Sequence, residues 1–291
     1  MISGPVFVGT DLSPSADEAL TQGARLATEV GAPLIVGHVL PEFLQLSMLF
    51  PQWRGMDPAF EGTIRSKAEQ AVRRHVEVVL GDRGRDVQIA LDSGTPHSGL
   101  LAGADEARAG VIVIGPGRVA GEVARYATVP VLVARPSPST GAVVGATDFS
   151  DRSLPALSAA ASEARRRYAP LHFVYAVNEG AFTLGSGRAA TMPYLEETSA
   201  IAVDGLDQLR AAAEQRLQDS LDQYGVEGQG IVVLGRAADA IVTWAESAGA
   251  QLVVVGTHGR SGLARMALGS TASAVIDHAP CSVLVVRLSG A

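Results

Sequence analysis

Residues 252–259 read LVVVGTHG, and residues 269–271 read GST after nine intervening residues. An apolar, β-branched run that ends in glycine predicts a buried strand followed by a turn at which the backbone can approach a ligand closely. The sequence Gly269-Ser270-Thr271 predicts the start of a helix, where unpaired N–H groups and the helix dipole favour an anion. Together these features predict an α/β sheet in which two glycine clusters hold a polyphosphate from two sides.

The composition indicates a globular α/β protein and excludes several function classes. The 291 residues are 47% hydrophobic and 18% charged, which suits two domains with ample core. A net charge of −7 lacks the basic surface of a nonspecific nucleic-acid binder. Lys67 is the sole lysine, which weakens a Walker-type phosphate loop and Schiff-base catalysis.

The expected location of the protein is the cytoplasm. No apolar run approaches the roughly 18 residues of a membrane span, and the N-terminus shows no signal peptide. Cys281 is the single cysteine, so it cannot form a disulfide within the chain and fits a reducing compartment.

The chain contains an internal repeat. Two of the matched segments are apolar strands that end in Thr-Asp-x-Ser. The matched pairs, in the same order in both halves, are 6–13 with 143–150, 94–96 with 235–237, 111–115 with 252–256, and 130–135 with 280–287. The Pro/Ser/Gly-rich segment 135–141 suits a boundary. We therefore predict two similar domains, residues 1–137 and 138–291.

Apolar strands alternate with helical segments in both halves, which predicts mainly parallel, doubly wound sheets. The predicted strands are 6–9, 33–39, 87–91, 111–114, 131–134, 143–147, 171–177, 231–234, 252–255 and 283–286. The predicted helices include 14–31, 60–80, 98–108, 205–224 and 238–248.

These residues together resemble the universal stress protein family in its tandem form, over essentially the whole chain. The family's ATP-binding signature is G-x2-G-x9-G-[ST], which Gly256, Gly259, Gly269 and Ser270 match. The resemblance implies two tandem doubly wound parallel five-stranded sheets, of the adenine nucleotide alpha-hydrolase-like type, with strand order 3-2-1-4-5. It also implies ATP as the ligand, accompanied by Mg²⁺.

The resemblance assigns roles to individual positions of the second half. Asp148 is placed to accept a hydrogen bond from adenine or ribose, Ala176 or Val177 to pack against adenine, and Gly269 to approach the distal phosphates. The full set of implied nucleotide-binding residues is Ala146, Thr147, Asp148, Ala176, Val255, Gly256, Gly259, Arg260, Gly269, Ser270 and Thr271. An alternative for Asp148 is that it only caps the following helix.

The first half departs from the pattern. Pro130 follows Gly115 by 15 positions, whereas Pro280 follows Gly256 by 24. The missing nine residues are about the length between the two glycine clusters, and Pro116 removes one backbone N–H. We therefore predict that the first domain keeps the fold but lacks a competent triphosphate site, with Asp11 in a structural role.

Three functions fit the sequence. The first is an ATP-binding regulatory protein of the stress response, in which nucleotide occupancy alters assembly or partner binding. The second is a slow ATPase or nucleotide hydrolase. His258 is the sole candidate group beside the loop that titrates near neutrality, and no catalytic residue is assigned. The third is an interaction module that binds no nucleotide.

The resemblance also implies how the protein assembles. Domains of this family commonly pair through their last strands, here residues 131–134 and 283–286. We expect this pairing within the chain, and a homodimer of chains. We expect no nucleic acid or membrane among the partners. The sequence does not identify a protein partner.

Overall fold

The computed structural model describes residues 3–40, 58–177, 196–225, 227–257 and 268–287. The chain divides into two compact units, residues 1–136 and residues 137–291. Within the described residues each unit is a parallel α/β sheet, as the alternation of strands and helices predicted.

The first unit has five described strands in the order β3-β2-β1-β4-β5, and neighbouring strands are parallel. The strands are β1 (Val6–Gly9), β2 (Leu34–Leu40), β3 (Gln88–Ser93), β4 (Val111–Ile114) and β5 (Val131–Val133). The helices are α1 (Pro14–Val30), α2 (Pro58–Leu80), α3 (Pro96–Glu106) and α4 (Arg118–Tyr126). The strand order 3-2-1-4-5 puts β1 and β4 side by side, so that the winding reverses between them.

The second unit repeats this arrangement in the order β8-β7-β6-β9-β10, again with parallel neighbours. Its described strands are β6 (Val143–Thr147), β7 (Leu171–Val177), β8 (Gly228–Leu234), β9 (Leu252–Gly256) and β10 (Ser282–Val286). Its described helices are α5 (Leu154–Arg167), α6 (Glu196–Tyr224), α7 (Ala237–Ser247) and α8 (Ser270–His278). The fold class is thus the predicted tandem of doubly wound sheets.

The first helix shows how local sequence sets an element. Ser13 precedes α1 as its N-cap, Pro14 occupies its first turn, and Gly31 ends it with a left-handed φ of 65°. Gly23 faces the sheet, where an added Cβ would lie 2.3 Å from Cγ2 of Val8. Glycine at this position therefore permits the close approach of α1 to β1.

The core of each unit lies against its central strands. Every residue of β1, β4 and β6 is buried, and β9 is buried from Leu252 to Val255. Continuous burial, rather than alternation, is typical of a parallel sheet covered on both faces. This burial leaves the strand ends, and the loops that follow them, as the places for ligand chemistry.

Two helices differ from the sequence expectation. The helix α6 begins at Glu196, nine residues before the predicted start at Gly205. Glycine lowers helix propensity by about 1 kcal/mol, but neighbours with good propensity carry the helix through it. The helix α4 was not predicted, because its nine residues follow a Gly-Pro-Gly sequence that indicates only a turn.

The side chain of His172 on β7 gives the second unit a pH-dependent stability. Burial lowers the pKa of His172 below 6.5, and the Trp244 indole on α7 lies 3.4 Å from its Nδ1. The unfolded chain therefore takes up the proton first, so this contribution to stability is present above pH 6.5 and is lost as the pH falls. We expect the free energy of unfolding of His172→Asn to fall less than that of the wild type between about pH 7 and pH 5.

Urea unfolding at the two pH values measures this difference. Asparagine keeps an acceptor near the Trp244 indole, so the variant changes mainly the titrating group. An equal fall in the two proteins would show that His172 does not contribute.

Candidate functional site

The predicted nucleotide residues begin with a tight turn after β6. The Phe149 amide donates to Oγ1 of Thr147 at 2.9 Å, and the Ser150 amide donates to Oδ1 of Asp148 at 3.0 Å. These two bonds hold Phe149 at a left-handed φ of 62°, which is uncommon for a residue other than glycine. The sequence Thr-Asp-x-Ser therefore folds as a side-chain-stabilised turn that places Asp148 at the carboxyl end of β6.

The buried hydroxyl groups of Thr147 and Ser153 stabilise this turn by hydrogen bonds. Ser153 donates its hydroxyl to the Ser150 carbonyl at 2.7 Å, and Oγ of Ser153 lies 2.8 Å from Oγ1 of Thr147. Since the Ser153 proton is used, the Thr147 hydroxyl must donate to Ser153. Ser153 is also the N-cap residue of α5, so Asp148 bonds within the turn rather than capping the helix.

Gly256 and Gly269, which come from the two glycine clusters, lie within the described residues, and backbone hydrogen bonds connect the segments that carry them. Gly256 is the last residue of β9, and the amide of the next residue, Thr257, donates to the Val286 carbonyl of β10 at 3.0 Å. The Gly269 amide then donates to the Thr257 carbonyl at 2.8 Å. Backbone hydrogen bonds thus join the end of β9 to the start of α8, although 13 positions separate Gly256 from Gly269.

Gly269 is the N-cap residue of α8, and Ser270 and Thr271 are the first two residues of the helix. A glycine supplies no capping oxygen, so the first-turn amides of α8 keep their capacity to bind an anion. Ser270 is exposed and Thr271 is half-buried. This end of the helix has the donors that a phosphate group needs.

The strand register brings the turn and the glycine clusters to one edge of the sheet. Gly145 of β6 is opposite Val254 of β9. The two strands run parallel to each other, and each ends two residues after this pair, at Thr147 and at Gly256. Asp148 and Gly256 therefore lie at the same edge of the sheet. Ala146 and Val255 are buried just below that edge.

The remaining predicted positions divide into two groups. Ala176 lies on β7, the other neighbour of β6, and is half-buried. Gly259 and Arg260 lie outside the described residues, as does His258.

An aromatic cluster that the sequence did not indicate lies beside the turn. The ring of Phe149 lies 4.6 Å from that of Tyr175, and the Arg216 guanidinium lies 4.7 Å from the Phe149 centroid. The guanidinium–ring distance fits a cation–π contact. Arg216 lies 67 residues after Phe149 in the chain, and no spacing pattern indicates such a contact.

The first unit contains the same turn. The Leu12 amide donates to Oγ1 of Thr10 at 3.0 Å, the Ser13 amide donates to Oδ1 of Asp11 at 3.0 Å, and Leu12 has a φ of 65°. Burial raises the pKa of Asp11, but hydrogen bonds from the Ser13 hydroxyl and amide and the nearby His38 bring it below 3.8. Asp11 is therefore ionised near neutral pH.

A cavity of about 240 Å³ lies beside this turn, wholly within the first unit. Its lining includes Asp11, His38, Leu100, Gly115 and Arg118. The sequence predicted no triphosphate site in this unit, and it did not predict the cavity.

The described part of the chain shows neither a metal-binding cluster nor a membrane-spanning helix. No group of three or more His, Cys, Asp or Glu residues there is placed to hold a metal ion. None of the described helices is both long enough and apolar enough to cross a bilayer.

Comparison with known proteins gives consistent results for both halves. The model of the universal stress protein family matches residues 4–135 and again residues 140–287. Universal stress protein Rv2005c of Mycobacterium tuberculosis is 32% identical over 304 aligned positions, covering 98% of this chain and 97% of the relative. Universal stress protein YxiE of Bacillus subtilis is 32% identical over 148 positions, covering 49% of this chain and 95% of its own length.

A solved structure supports the fold. The universal stress protein of Archaeoglobus fulgidus DSM 4304 matches with a TM-score of 0.67 at 19% identity, covering 98% of this chain and 96% of that chain. Two family matches in one chain, together with a relative that aligns along the full length, establish membership. The protein belongs to the universal stress protein family and carries two of its domains in tandem.

Proposed function

We propose that the second unit binds ATP and that nucleotide occupancy regulates the assembly or the partner contacts of the protein in a stress response. The observation that carries this proposal is the hydrogen bond from the Gly269 amide to the Thr257 carbonyl, 2.8 Å long. It joins the two halves of the G-x2-G-x9-G-[ST] signature around the start of α8.

The nucleoside end of the proposed site is formed by the turn after β6. One oxygen of Asp148 accepts from Ser150, which orients the carboxylate at the sheet edge. A carboxylate in this position accepts hydrogen bonds from ribose hydroxyls or from the adenine amino group. Ala176 on the neighbouring strand supplies a small apolar surface for the base.

The phosphate end is formed by backbone donors. Gly256 and Gly269 allow the phosphates to approach without a Cβ in the way, and the first-turn amides of α8 supply donors. The hydroxyls of Ser270 and Thr271 add further donors. Gly259, the second glycine of the signature, and Arg260, which follows it, complete the proposed set.

Mg²⁺ would accompany ATP in this site by coordinating mainly phosphate oxygens and water, as it does in many nucleotide complexes. Ser270 and Thr271 directly follow Gly269, beside which the distal phosphates would lie. We further propose that the protein is cytoplasmic and that two chains form a homodimer. We also propose that the last strands of the two domains pair within each chain.

The test is a calorimetric titration of ATP into the wild type and into Asp148→Asn. Asparagine keeps the acceptor for Ser150 but removes the charge, and we expect ATP affinity to fall about tenfold through loss of a charge-assisted hydrogen bond. The matched control is Asp11→Asn, which makes the same change in the same turn of the first unit. We expect it to leave ATP affinity unchanged.

An absence of ATP binding by the wild type would refute the proposal. Equal effects of the two asparagine substitutions would refute the assignment of Asp148. Rapid phosphate release from ATP would favour the hydrolase interpretation over regulation.

A further inference from the structure

Phe149, in the turn that carries Asp148, is contacted by two other elements of the second unit. On β7, Tyr175 is the register partner of Thr147, and its ring centroid lies 4.6 Å from that of Phe149. On α6, the guanidinium carbon of Arg216 lies 4.7 Å from the Phe149 centroid. A strand and a helix thus contact the same ring.

The helix α6 holds Arg216 at a fixed place relative to the sheet. Ala213, Leu217 and Leu221 are buried at helical spacing, so one face of α6 packs on the core. At Gly230 of β8 an added Cβ would lie 2.6 Å from the Leu217 Cβ, so the helix packs closely on this strand. Arg216 is the neighbour of Leu217 and is itself exposed. Its guanidinium therefore reaches the turn from a well-anchored backbone.

Contacts on the Phe149 ring also act on the Asp148 carboxylate. The φ of Phe149 is 62°, a left-handed conformation that is unfavourable for a residue with a Cβ. In this conformation the Ser150 amide donates to Oδ1 of Asp148 at 3.0 Å. A contact that holds the ring in place therefore favours the backbone conformation in which Asp148 is oriented at the sheet edge.

The first unit holds the same turn in a different way. Its counterpart of Phe149 is Leu12, which has no ring. Its counterpart of Tyr175 is His38, whose Nδ1 lies 2.8 Å from the Thr10 carbonyl oxygen. The second strand thus contacts the turn in both units, but the turn of the second unit is the one that contains an aromatic side chain.

We propose that Arg216 is a positioning residue of the ATP site. It holds the Phe149 ring and thereby favours the turn that presents Asp148 to the nucleoside. The identity of the ligand in this inference rests on the proposed function, whereas the effect of Arg216 on the turn does not.

The first test is a calorimetric titration of ATP into the full chain carrying Arg216→Gln, which keeps a polar side chain on the helix and removes the cation. We expect ATP affinity to fall about two- to fivefold, the factor that corresponds to an exposed cation–π contact. Arg216→Lys keeps a cation and should recover part of the loss. The matched control is Arg210→Gln, at an exposed arginine of the same helix that pairs with Glu214 at 3.0 Å. We expect it to leave ATP affinity unchanged.

A second substitution tests whether Arg216 acts through the ring. Phe149→Leu gives the turn the residue type that the first unit has at Leu12. In the Phe149→Leu background, Arg216→Gln should cause no further loss of ATP affinity, because the ring that Arg216 contacts is gone. A further loss of about twofold or more would mean that Arg216 acts on the nucleotide directly, and would overturn the positioning role.

Amide hydrogen exchange of the ligand-free chain, followed by NMR, measures the turn itself. The reporters are the Phe149 and Ser150 amides, whose hydrogen bonds close the turn. We expect Arg216→Gln to speed their exchange about two- to fivefold. The Leu12 and Ser13 amides make the same two hydrogen bonds in the first unit, and their unchanged exchange is the internal control.

The outcomes separate this inference from the proposed function. If the wild type binds ATP and Arg216→Gln binds it equally well, the inference fails and the proposed function stands. If the wild type binds no ATP, the proposed function fails, and the exchange of the turn amides decides the inference: faster exchange in Arg216→Gln supports it and unchanged exchange refutes it. Equal effects of Arg216→Gln and Arg210→Gln, or of Arg216→Gln and Arg216→Lys, would also overturn the inference.

Discussion

Gly269→Asp is expected to abolish ATP binding while leaving the fold intact. Gly269 has φ −61° and ψ 148°, an extended conformation that aspartate adopts readily, and it occupies the N-cap position of α8. Aspartate is among the best N-cap residues, so the helix should be at least as stable as before. The new carboxylate, however, would occupy the first-turn amides and repel the phosphates.

The size of the loss follows from the charges. Two unit charges 4 Å apart repel by about 4 kcal/mol at an effective dielectric constant of 20, so ATP affinity should fall at least about a hundredfold. Gly269→Asn is the matched control, because it has nearly the same shape and capping ability without the charge. We expect Gly269→Asn to weaken ATP binding through its Cβ and its capping oxygen, but clearly less than Gly269→Asp, in a fluorescence or calorimetric titration.

Two other results for these variants would contradict this explanation. Undiminished ATP affinity in a folded Gly269→Asp chain would mean that the phosphates do not lie at the start of α8. Equal loss in both variants would mean that bulk, rather than charge, controls this position.

Phe173→Ala is expected to cause the largest loss of stability in the second unit. The Phe173 side chain is fully buried on β7. It packs over Gly145 of β6, where an added Cβ would lie 3.1 Å from the ring, and its ring is edge-on to Tyr224 at 6.0 Å. Removing a buried phenylalanine ring leaves a cavity and costs about 3–5 kcal/mol.

Denaturant unfolding followed by circular dichroism measures this effect. Phe173→Leu keeps most of the apolar volume and should cost about 1.5 kcal/mol or less. Val78→Ala, at a side chain that is 84% exposed, should change the free energy of unfolding by no more than about 0.5 kcal/mol. A Phe173→Ala effect as small as that of Val78→Ala would contradict the burial of this ring.

The sequence predicted the fold well because the repeat and the apolar runs are local features. The segments 111–114 and 171–177 were predicted with the bounds that the structure shows, since β-branched runs flanked by turn residues mark buried strands. The first residue of α6 was harder to predict from the sequence, because the helical pattern there is weak and a glycine interrupts it. The helix α4 was hidden by the Gly-Pro-Gly sequence before it.

The sequence predicted only part of the candidate site. Spacing identified Gly256 and Gly269 as a pair, and the structure adds the Thr257 backbone bonds that bring them together. The same reasoning treated Asp11 as structural and did not foresee the cavity beside it, because a cavity depends on how walls from several elements meet. The contact of Arg216 with Phe149 was invisible for the same reason.

We propose that the two domains differ, with a triphosphate site in the second alone. The most direct measurement is the number of ATP molecules bound per chain at saturation, determined with radiolabelled ATP on the purified full chain. We expect one ATP per chain. Two ATP per chain would contradict the asymmetry of the domains, and none would contradict nucleotide binding by the second unit.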